Sequence, residues 1–226
     1  MTEEQKSTVE VLLANRLYVY SLLYKVLARE PDAELLKLLT AESAGEAFAL
    51  LGSGEDTLSK VPAFFAELRG ELNDALVSEA KDEFTRLFLG PIKLVAPPWE
   101  SIYVGKESML FEESTLAVRR FYQSYGLQPE AYPRVADDSL ALELAFMSKL
   151  AERADTAFGQ DKREELLSAL TGSCEFLEKH MLVWIPKFLE RMNESPSTVL
   201  YPQLCLILSA FISADRDVLT DLLGIV

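Results

Sequence analysis

The side chains of this chain that are best suited to chemistry are apolar and aromatic groups close to carboxylates, and they suit binding rather than bond breaking. Phe84, Leu87 and Phe88 recur at the spacing i, i+3 and i+4, so we expect them to share one face of a helix. Gly90 and a following proline stop that helix. The segment APPWESIY, residues 96–103, comes next and carries Pro98, Trp99, Ser101 and Tyr103.

The predicted loop at 91 to 112 is too apolar for an ordinary solvated loop and too rich in proline for a helix or a central strand. A rigid prolyl pair followed by Trp99 resembles the wall of a peptide groove, because indole offers a large apolar face and one N–H donor. The same loop equally suits a buried corner. The helix face with Phe84 is by itself ordinary core, and only its position beside this loop favours a ligand surface.

Acidic residues gather where a later helix is predicted to begin, at Asp137, Asp138 and Glu143. Helix capping and solvation explain them on sequence alone, and this is the preferred interpretation. The functional alternative is that these carboxylates, with Glu100, pair with guanidinium groups beside an aromatic groove. That alternative requires the aromatic residues Phe84, Phe88, Trp99 and Tyr103 to converge in space with these carboxylates, which we state as a hypothesis.

The sequence contains no legible catalytic, nucleotide-binding or metal-binding motif. Its one histidine, His180, lies among apolar helical positions and is expected to be a packing residue. The GSG at 52–54 lacks the lysine and the preceding strand of a phosphate-binding loop, and no ExxH pair is present. We therefore expect a protein that is not an enzyme and has no cofactor, no metal site and no catalytic residue.

Composition narrows the class of partner. The formal net charge of -14 and the pI near 4.6 argue against nucleic acid and anionic membranes, although an acidic surface also serves solubility alone. Cys174 and Cys205 lie far apart in apolar contexts, which indicates neither a disulfide framework nor a metal site. The charged N-terminus and the lack of a long apolar run predict a cytoplasmic protein without stable membrane insertion.

The hydrophobic pattern predicts an all-α fold of about ten helices, arranged as a single interrupted bundle over residues 1–226 with a long proline-rich loop. Besides the loop at 91 to 112, an extended connector is expected at 127 to 136. In the N-terminal half, the predicted helices are one over 8–29, a short one capped by Asp32, one opened by Pro62, one that ends at Gly90 and one from Ser114 to Gly126. In the C-terminal half, the predicted helices are one that starts at 137–139, then 161–170, 173–192, 198–213 and 215–224, and Pro186 is expected to kink or break the helix at 173–192.

Four sequence blocks together resemble the TorD/DmsD family of redox-enzyme maturation chaperones, and more closely its DmsD branch. The blocks are FTRLFLGP with APPWESIY, then ESMLFEESTLAVRRFY, then DDSLALELAFM, and finally FLEKHMLVWIPKF. They span roughly residues 80 to 192, and their order and spacing are more specific than any single block. The N-terminal helices fit the family only by length and pattern.

The resemblance implies an all-helical cytoplasmic chaperone that binds the twin-arginine signal peptide, or leader, of a molybdopterin-containing reductase and holds back export until the cofactor is inserted. By that likeness the leader contacts fall on Phe84, Leu87, Phe88, Pro98, Trp99, Ser101, Tyr103 and Asp138. The family commonly has Asp-His where this chain has Asp138-Ser139. Glu100, where relatives often have a small residue, is a further candidate contact for a leader arginine. We expect Asp138 on the side of the groove opposite Trp99.

Two other classes of function remain open at this point. One is a helical nucleotide-binding or hydrolytic protein that uses the same cleft, although nothing marks a phosphate site. The other is a purely structural helical subunit with an obligate partner. A homodimer with exchanged segments is conceivable for a chain with so long a connector.

Overall fold

The computed structural model describes residues 1–54, 56–90, 93–105, 113–129, 136–195 and 199–226. Within these residues the chain is helical, and its one pair of β-bridged residues lies outside any strand. The helices are α1 (Glu3–Leu27), α2 (Ala33–Leu39), α3 (Glu42–Ala49), α4 (Val61–Gly70), α5 (Asp74–Phe84), α6 (Ser101–Val104), α7 (Glu113–Ser124), α8 (Leu140–Gly159), α9 (Arg163–Phe176), α10 (Leu182–Met192) and α11 (Tyr201–Ile225). The predicted all-α class is confirmed. The prediction of a single domain over 1–226 stays a prediction.

Local signals in the sequence account for most helix ends. Thr2 and Gln5 form a capping box, so α1 begins earlier than the predicted residue 8. Asp32 accepts the Leu35 N–H at 2.7 Å and caps α2, as predicted. Gly126 has φ +66°, the left-handed conformation that glycine adopts without strain, and it follows the end of α7 as predicted. Ser114 lies inside α7 rather than at its N-cap, so that prediction was wrong.

The helix breaks predicted at 171–172 and at 214 are absent. The segments predicted at 161–170 and 173–192 form one helical run, in which the π-helical turn Leu177–Met181 joins α9 to α10. Pro186 lies inside α10 and does not split it, although a proline has no N–H for the Leu182 carbonyl. The segments predicted at 198–213 and 215–224 are the single helix α11. Neither join contains a residue that must end a helix, so tertiary packing decides their continuity.

The core lies between the long helices. α1 packs along α8, α8 along α9, and α11 against α9 and α10. The contact of α1 with α11 contains a buried ion pair, in which Arg16 Nε donates to Asp215 at 2.6 Å and the Tyr20 hydroxyl donates to the same carboxylate at 2.6 Å. These helices form the frame against which the proline-rich segment docks.

α11 begins at a carboxylate from another helix. The buried Glu83, near the end of α5, accepts the backbone N–H groups of Val199, Leu200 and Tyr201 at 2.9, 2.7 and 2.8 Å. These are donors that an isolated helix start would leave unpaired, and the negative charge also suits the positive end of the helix dipole. The next turn after α5 is the π-helical turn Thr85–Leu89, which ends at Gly90 with φ +86°. This confirms the predicted helix stop.

Candidate functional site

The Trp99 segment, which we define as residues 96–104, is hydrogen-bonded directly to the start of α8. Trp99 and Ser139 form an antiparallel β-bridge. On either side of it, the Leu140 N–H donates to the Pro98 carbonyl at 3.0 Å and the Glu100 N–H donates to the Asp138 carbonyl at 3.0 Å. The hypothesised convergence is therefore confirmed for Trp99 and Asp138, but the placement of Asp138 across a groove from Trp99 was wrong. The two residues belong to one wall.

Asp138 and Ser101 fix the beginning of the short helix α6. The Ser101 N–H donates to Asp138 Oδ2 at 2.8 Å, and both residues are fully buried. A carboxylate that accepts the first N–H of a helix satisfies a donor that would otherwise lack a partner. Asp138 thus acts on α6, whereas Ser139 accepts the Leu142 N–H and caps α8.

The other end of the Trp99 segment rests on α10. The ring of Tyr103 stacks on the buried Trp184 with centroids 5.5 Å apart, and the Arg191 guanidinium lies 4.7 Å from the Tyr103 ring centroid. Lys187 Nζ donates to the Tyr103 carbonyl at 3.4 Å. Burial raises the pKa of the Tyr103 phenol well above its usual range. Tyr103 is therefore an anchor of the segment.

Pro98 and Trp99 lie at the surface of this wall. Both are half-buried, and Trp99 lies outside the hydrophobic core formed by the described residues. Two apolar side chains nearby in sequence, Leu89 and Val95, are 62% and 43% exposed. An aromatic ring held by a rigid backbone at a partly exposed position is suited to contact an apolar ligand. Trp99 therefore faces solvent in part.

The helix face with Phe84, Leu87 and Phe88 is buried. Phe84 and Phe88 pack against each other at 5.1 Å and against Tyr201 of α11 at 5.3 and 5.4 Å. The alternative that these residues are core is confirmed for the free protein. Their contact with a leader stays a prediction, and it requires them to leave this packing.

Four carboxyl groups, one from the Trp99 segment and three from the start of α8, are buried, and we call Glu100, Asp137, Asp138 and Glu143 the acidic cluster. Their burial overturns the interpretation of the three acids at 137, 138 and 143 as solvated capping residues. His180 Nδ1 and Glu100 Oε2 are 2.9 Å apart. The Trp184 indole N–H donates to Glu143 Oε2 at 2.9 Å.

Two further described partners of the cluster, Arg119 and Tyr122, lie on α7. Arg119 donates to Asp137 Oδ2 through Nε at 3.0 Å and through a terminal nitrogen at 2.7 Å. The Tyr122 hydroxyl donates to the Asp137 backbone carbonyl at 3.0 Å. Three helical elements and the Trp99 segment therefore meet at these acids, which makes the cluster the polar centre of the site.

The sequence did not identify His180 and Trp184 as members of this site. A signal was present, since His180 and Trp184 are four residues apart on one helix and share a face. Their acidic partners lie 80 and 41 positions away in the chain, so no local pattern identifies them. The expectation that His180 is a hydrogen-bonded packing residue agrees with its place beside Glu100 and Phe176, whose ring centroid is 4.9 Å away.

Burial and the surrounding acids change the titration of this cluster. Burial in the interior, then the charges of Glu100 and Asp138, raise the pKa of Glu143 well above its usual range, despite the opposing Trp184 hydrogen bond. Burial, and then the charges of the four acids of the cluster with Glu143 the strongest, raise the pKa of the Tyr122 phenol. Glu143 therefore binds a proton more readily than a solvated glutamate does.

The described residues hold no group of three or more histidine, cysteine or acidic side chains placed to bind a metal ion. Among the same residues, every helix is too short or too polar to cross a membrane. The geometry is that of a polar buried centre under a partly exposed aromatic wall, and its chemistry is hydrogen bonding and ion pairing.

Residues 55–190 match the family model described as "Nitrate reductase delta subunit". This range contains the whole Trp99 segment and the whole acidic cluster. The chain belongs to this family. Because its curated relatives are named DmsD and TorD, the predicted TorD/DmsD resemblance is confirmed. Relatives of both names match at similar identity, so the relatives do not single out the DmsD branch.

Three relatives illustrate the likeness. The Haemophilus influenzae protein named "Probable Tat proofreading chaperone DmsD" is 29% identical over 136 residues, which is 60% of this chain and 60% of that protein, less than two thirds of its length. "Chaperone protein TorD" of Shewanella pealeana is 26% identical over 207 residues, covering 88% of this chain and 87% of the relative. A crystal structure of a proposed redox enzyme maturation protein from Archaeoglobus fulgidus has a TM-score of 0.45 and 21% identity, and covers 91% of this chain and 93% of that one.

Proposed function

We propose that this member of the nitrate reductase delta subunit family is a cytoplasmic chaperone, not an enzyme, for a molybdopterin-containing oxidoreductase of the DMSO or TMAO reductase type. It binds the twin-arginine leader of that enzyme, assists cofactor insertion and holds back premature export. The family match and the names of the relatives, a Tat proofreading chaperone and TorD, support this proposal.

One observation supports the proposal most strongly: the direct docking of the half-buried Trp99 onto the backbone of Asp138 and Ser139. It puts an apolar aromatic surface next to the acidic cluster. A twin-arginine leader combines two guanidinium groups with an apolar stretch, which is the complementary pattern. The net charge of -14 favours approach of such a basic peptide.

The predicted contacts divide into two groups by burial. Pro98 and Trp99 are accessible in the free protein and form the first contact surface for the apolar part of the leader. The other six are buried and are reached only if the Trp99 segment or its surroundings move; these are Phe84, Leu87, Phe88, Ser101, Tyr103 and Asp138. We propose Trp99 as the main source of affinity, since large aromatic anchors dominate most interfaces.

The test is the substitution Trp99→Ala. Loss of an aromatic anchor is expected to cost about 2 kcal/mol, which weakens leader binding roughly 30-fold. Fluorescence anisotropy with a labelled leader peptide measures this, and circular dichroism should show unchanged helix content. Tyr24→Ala is the matched control, because Tyr24 is an exposed aromatic residue on α1, outside the proposed site, and its loss should leave binding unchanged.

Binding that is equal for Trp99→Ala and the parent protein would remove Trp99 from the site. A protein that binds no leader peptide in either form, even at high peptide concentration, would contradict the proposed function itself. Unfolding of Trp99→Ala would instead show that this side chain is part of the core.

A further inference from the structure

The acidic cluster has fewer hydrogen-bond donors than its buried oxygens require. In Asp137, Asp138 and Glu143, one carboxylate oxygen accepts a hydrogen bond, and the other, Asp137 Oδ1, Asp138 Oδ1 or Glu143 Oε1, has no partner among the described residues. The hydroxyl oxygen of Ser101, also buried, has no partner either. Buried acceptors without donors cost free energy, so the cluster favours a group that brings several N–H donors or a proton.

Within the part of the chain that the structure describes, five elements surround Glu143 with charged and polar groups. The acidic groups are Glu100 in the Trp99 segment and Asp137 and Asp138 at the start of α8. The described cationic or polar groups around them are Arg119 and Tyr122 on α7, His180 on the π-helical turn and Trp184 on α10. Lys187 and Arg191 of α10 contact Tyr103 instead, at the other end of the segment.

Among the described residues, Arg119 binds Asp137 and His180 contacts Glu100, while the N–H groups that donate to Asp138 and Glu143 are neutral, the Ser101 backbone and the Trp184 indole. The Glu143 carboxyl also interacts with that of Glu100, whose charge acts on it more strongly than the charge of Asp138 does. Two adjacent buried carboxylates that are both ionised repel each other, and one of them then holds a proton. Glu143 is fully buried, one of its carboxylate oxygens has no donor among the described residues, and burial raises its pKa, so we assign the proton to Glu143.

We propose that Glu143 carries a proton in the free protein and that a guanidinium group of the leader replaces this proton when the leader binds. The O–H bond of the Glu143 carboxyl breaks, the proton passes to the solvent buffer, and N–H groups of the arginine donate to Glu143 Oε1 and Asp138 Oδ1. This inference rests on the proposed function, and it adds two things: Glu143 as a specificity residue and proton release as part of recognition.

The exchange of a proton for a guanidinium group reduces the free-energy cost of burying an arginine. Burying a cation costs desolvation free energy, and so does burying an unpaired carboxylate. When one proton leaves as one guanidinium enters, the net charge of the buried site stays the same. The guanidinium also brings a planar fork of donors to oxygens that lack them, which a single proton cannot do. Arg119 on Asp137 shows that this site accommodates a guanidinium beside its acids.

The experiment is isothermal titration of the full chain with a synthetic leader peptide in phosphate and in Tris at the same pH near 7.5. These buffers differ in ionisation enthalpy, so the difference in observed heat gives the number of protons released. The leader with paired arginines is expected to release about one proton. A leader in which citrulline, a neutral isostere, replaces both arginines should bind more weakly and release none.

The variant Glu143→Gln assigns the proton. Glutamine keeps an oxygen for the Trp184 N–H and brings its own N–H donor, so the fold should persist, but it has no proton to exchange. Proton release should disappear, and affinity for the arginine leader should fall about tenfold while affinity for the citrulline leader stays the same. His180 is retained in this variant, so release that persists would identify another group. Glu164→Gln on the exposed face of α9 is the matched control and should behave as the parent.

Leader binding without any dependence on buffer would overturn this inference and leave the proposed function standing. Equal proton release from the parent and Glu143→Gln would do the same. Absence of binding for both peptides would overturn the proposed function as well. The comparison of the two peptides on the unaltered protein tests the inference even if the variant is poorly folded.

Discussion

The carboxylate of Glu83 is expected to be one of the largest single contributors to stability outside the hydrophobic core. It is fully buried and accepts three consecutive N–H groups at the start of α11, over distances of 2.7 to 2.9 Å. The substitution Glu83→Ala leaves these donors buried without an acceptor. Each such donor costs about 1–3 kcal/mol, and partial relaxation of the helix start brings the total to roughly 4 kcal/mol.

A loss of that size should lower the midpoint of thermal unfolding by about 10 °C, because 1 kcal/mol corresponds to about 2–4 °C in a chain of this length. Glu83→Gln should cost only about 1–2 kcal/mol. Its amide oxygen can keep the two bonds that Oε2 accepts from Leu200 and Tyr201, while the charge and the bond from Val199 are lost.

Urea unfolding followed by circular dichroism measures these values. The matched control is Glu79→Ala, an exposed glutamate on the same helix, which should change the free energy of unfolding by no more than about 0.5 kcal/mol. If Glu83→Ala were no more destabilising than Glu79→Ala, the start of α11 would not depend on this carboxylate and the reasoning from unpaired helix donors would be refuted.

Two further predictions concern other buried charges. Arg16→Met should lower the free energy of unfolding by about 3–5 kcal/mol in urea titrations, because it leaves Asp215 buried with only the Tyr20 hydroxyl as a partner. A second change, Asp215→Leu, should recover part of this loss. A double variant that is no more stable than Arg16→Met would contradict this prediction. The second prediction concerns Glu143, whose pKa is raised in the folded protein. Above pH 4.5, the ordinary pKa of a glutamate, the folded protein therefore binds more protons than the unfolded chain. The contribution of Glu143 to stability is lost as the pH rises from 4.5 through the raised pKa. Urea titrations from pH 5 to 9 should therefore show a smaller decline of stability with pH for Glu143→Gln than for the parent, and parallel curves would show that Glu143 does not hold the extra proton.

The sequence predicted those parts of the fold that depend on local patterns. The Asp32 cap, the stop at Gly90 and the end of α7 at Gly126 each follow from the conformational or hydrogen-bonding preference of one residue, and all three are confirmed. The break predicted near residue 214 was wrong because Asp215 resembles a surface residue in the sequence, whereas it is buried by a partner 199 positions away. A long-range ion pair leaves no periodic signal.

The candidate site shows the same division between local and long-range information. Its aromatic segment stands out in the sequence because proline pairs and tryptophan are unusual next to a helix end, and Trp99 is indeed partly exposed. The acids are also visible in the sequence, but a row of acidic residues at a helix start is usually solvated. Their burial, and the hydrogen bonds that they accept from Arg119, Ser101 and Trp184, depend on tertiary contacts that the sequence pattern does not contain.

Because the acidic cluster and most of the contact residues implied by the family resemblance are buried, these residues do not form one exposed binding surface in the free protein. Ser101, Tyr103 and Asp138 hold the Trp99 segment on α8 and α10, so a substitution at any of them changes the position of Trp99 as well as any direct contact. A loss of leader affinity in Asp138→Asn would therefore not by itself show that Asp138 touches an arginine. Trp99→Ala and Glu143→Gln are better separated, since the first removes exposed surface without altering the backbone bridge and the second alters charge at nearly constant shape. If the two changes weaken binding by independent factors, the apolar and the arginine parts of the leader occupy distinct places on this wall.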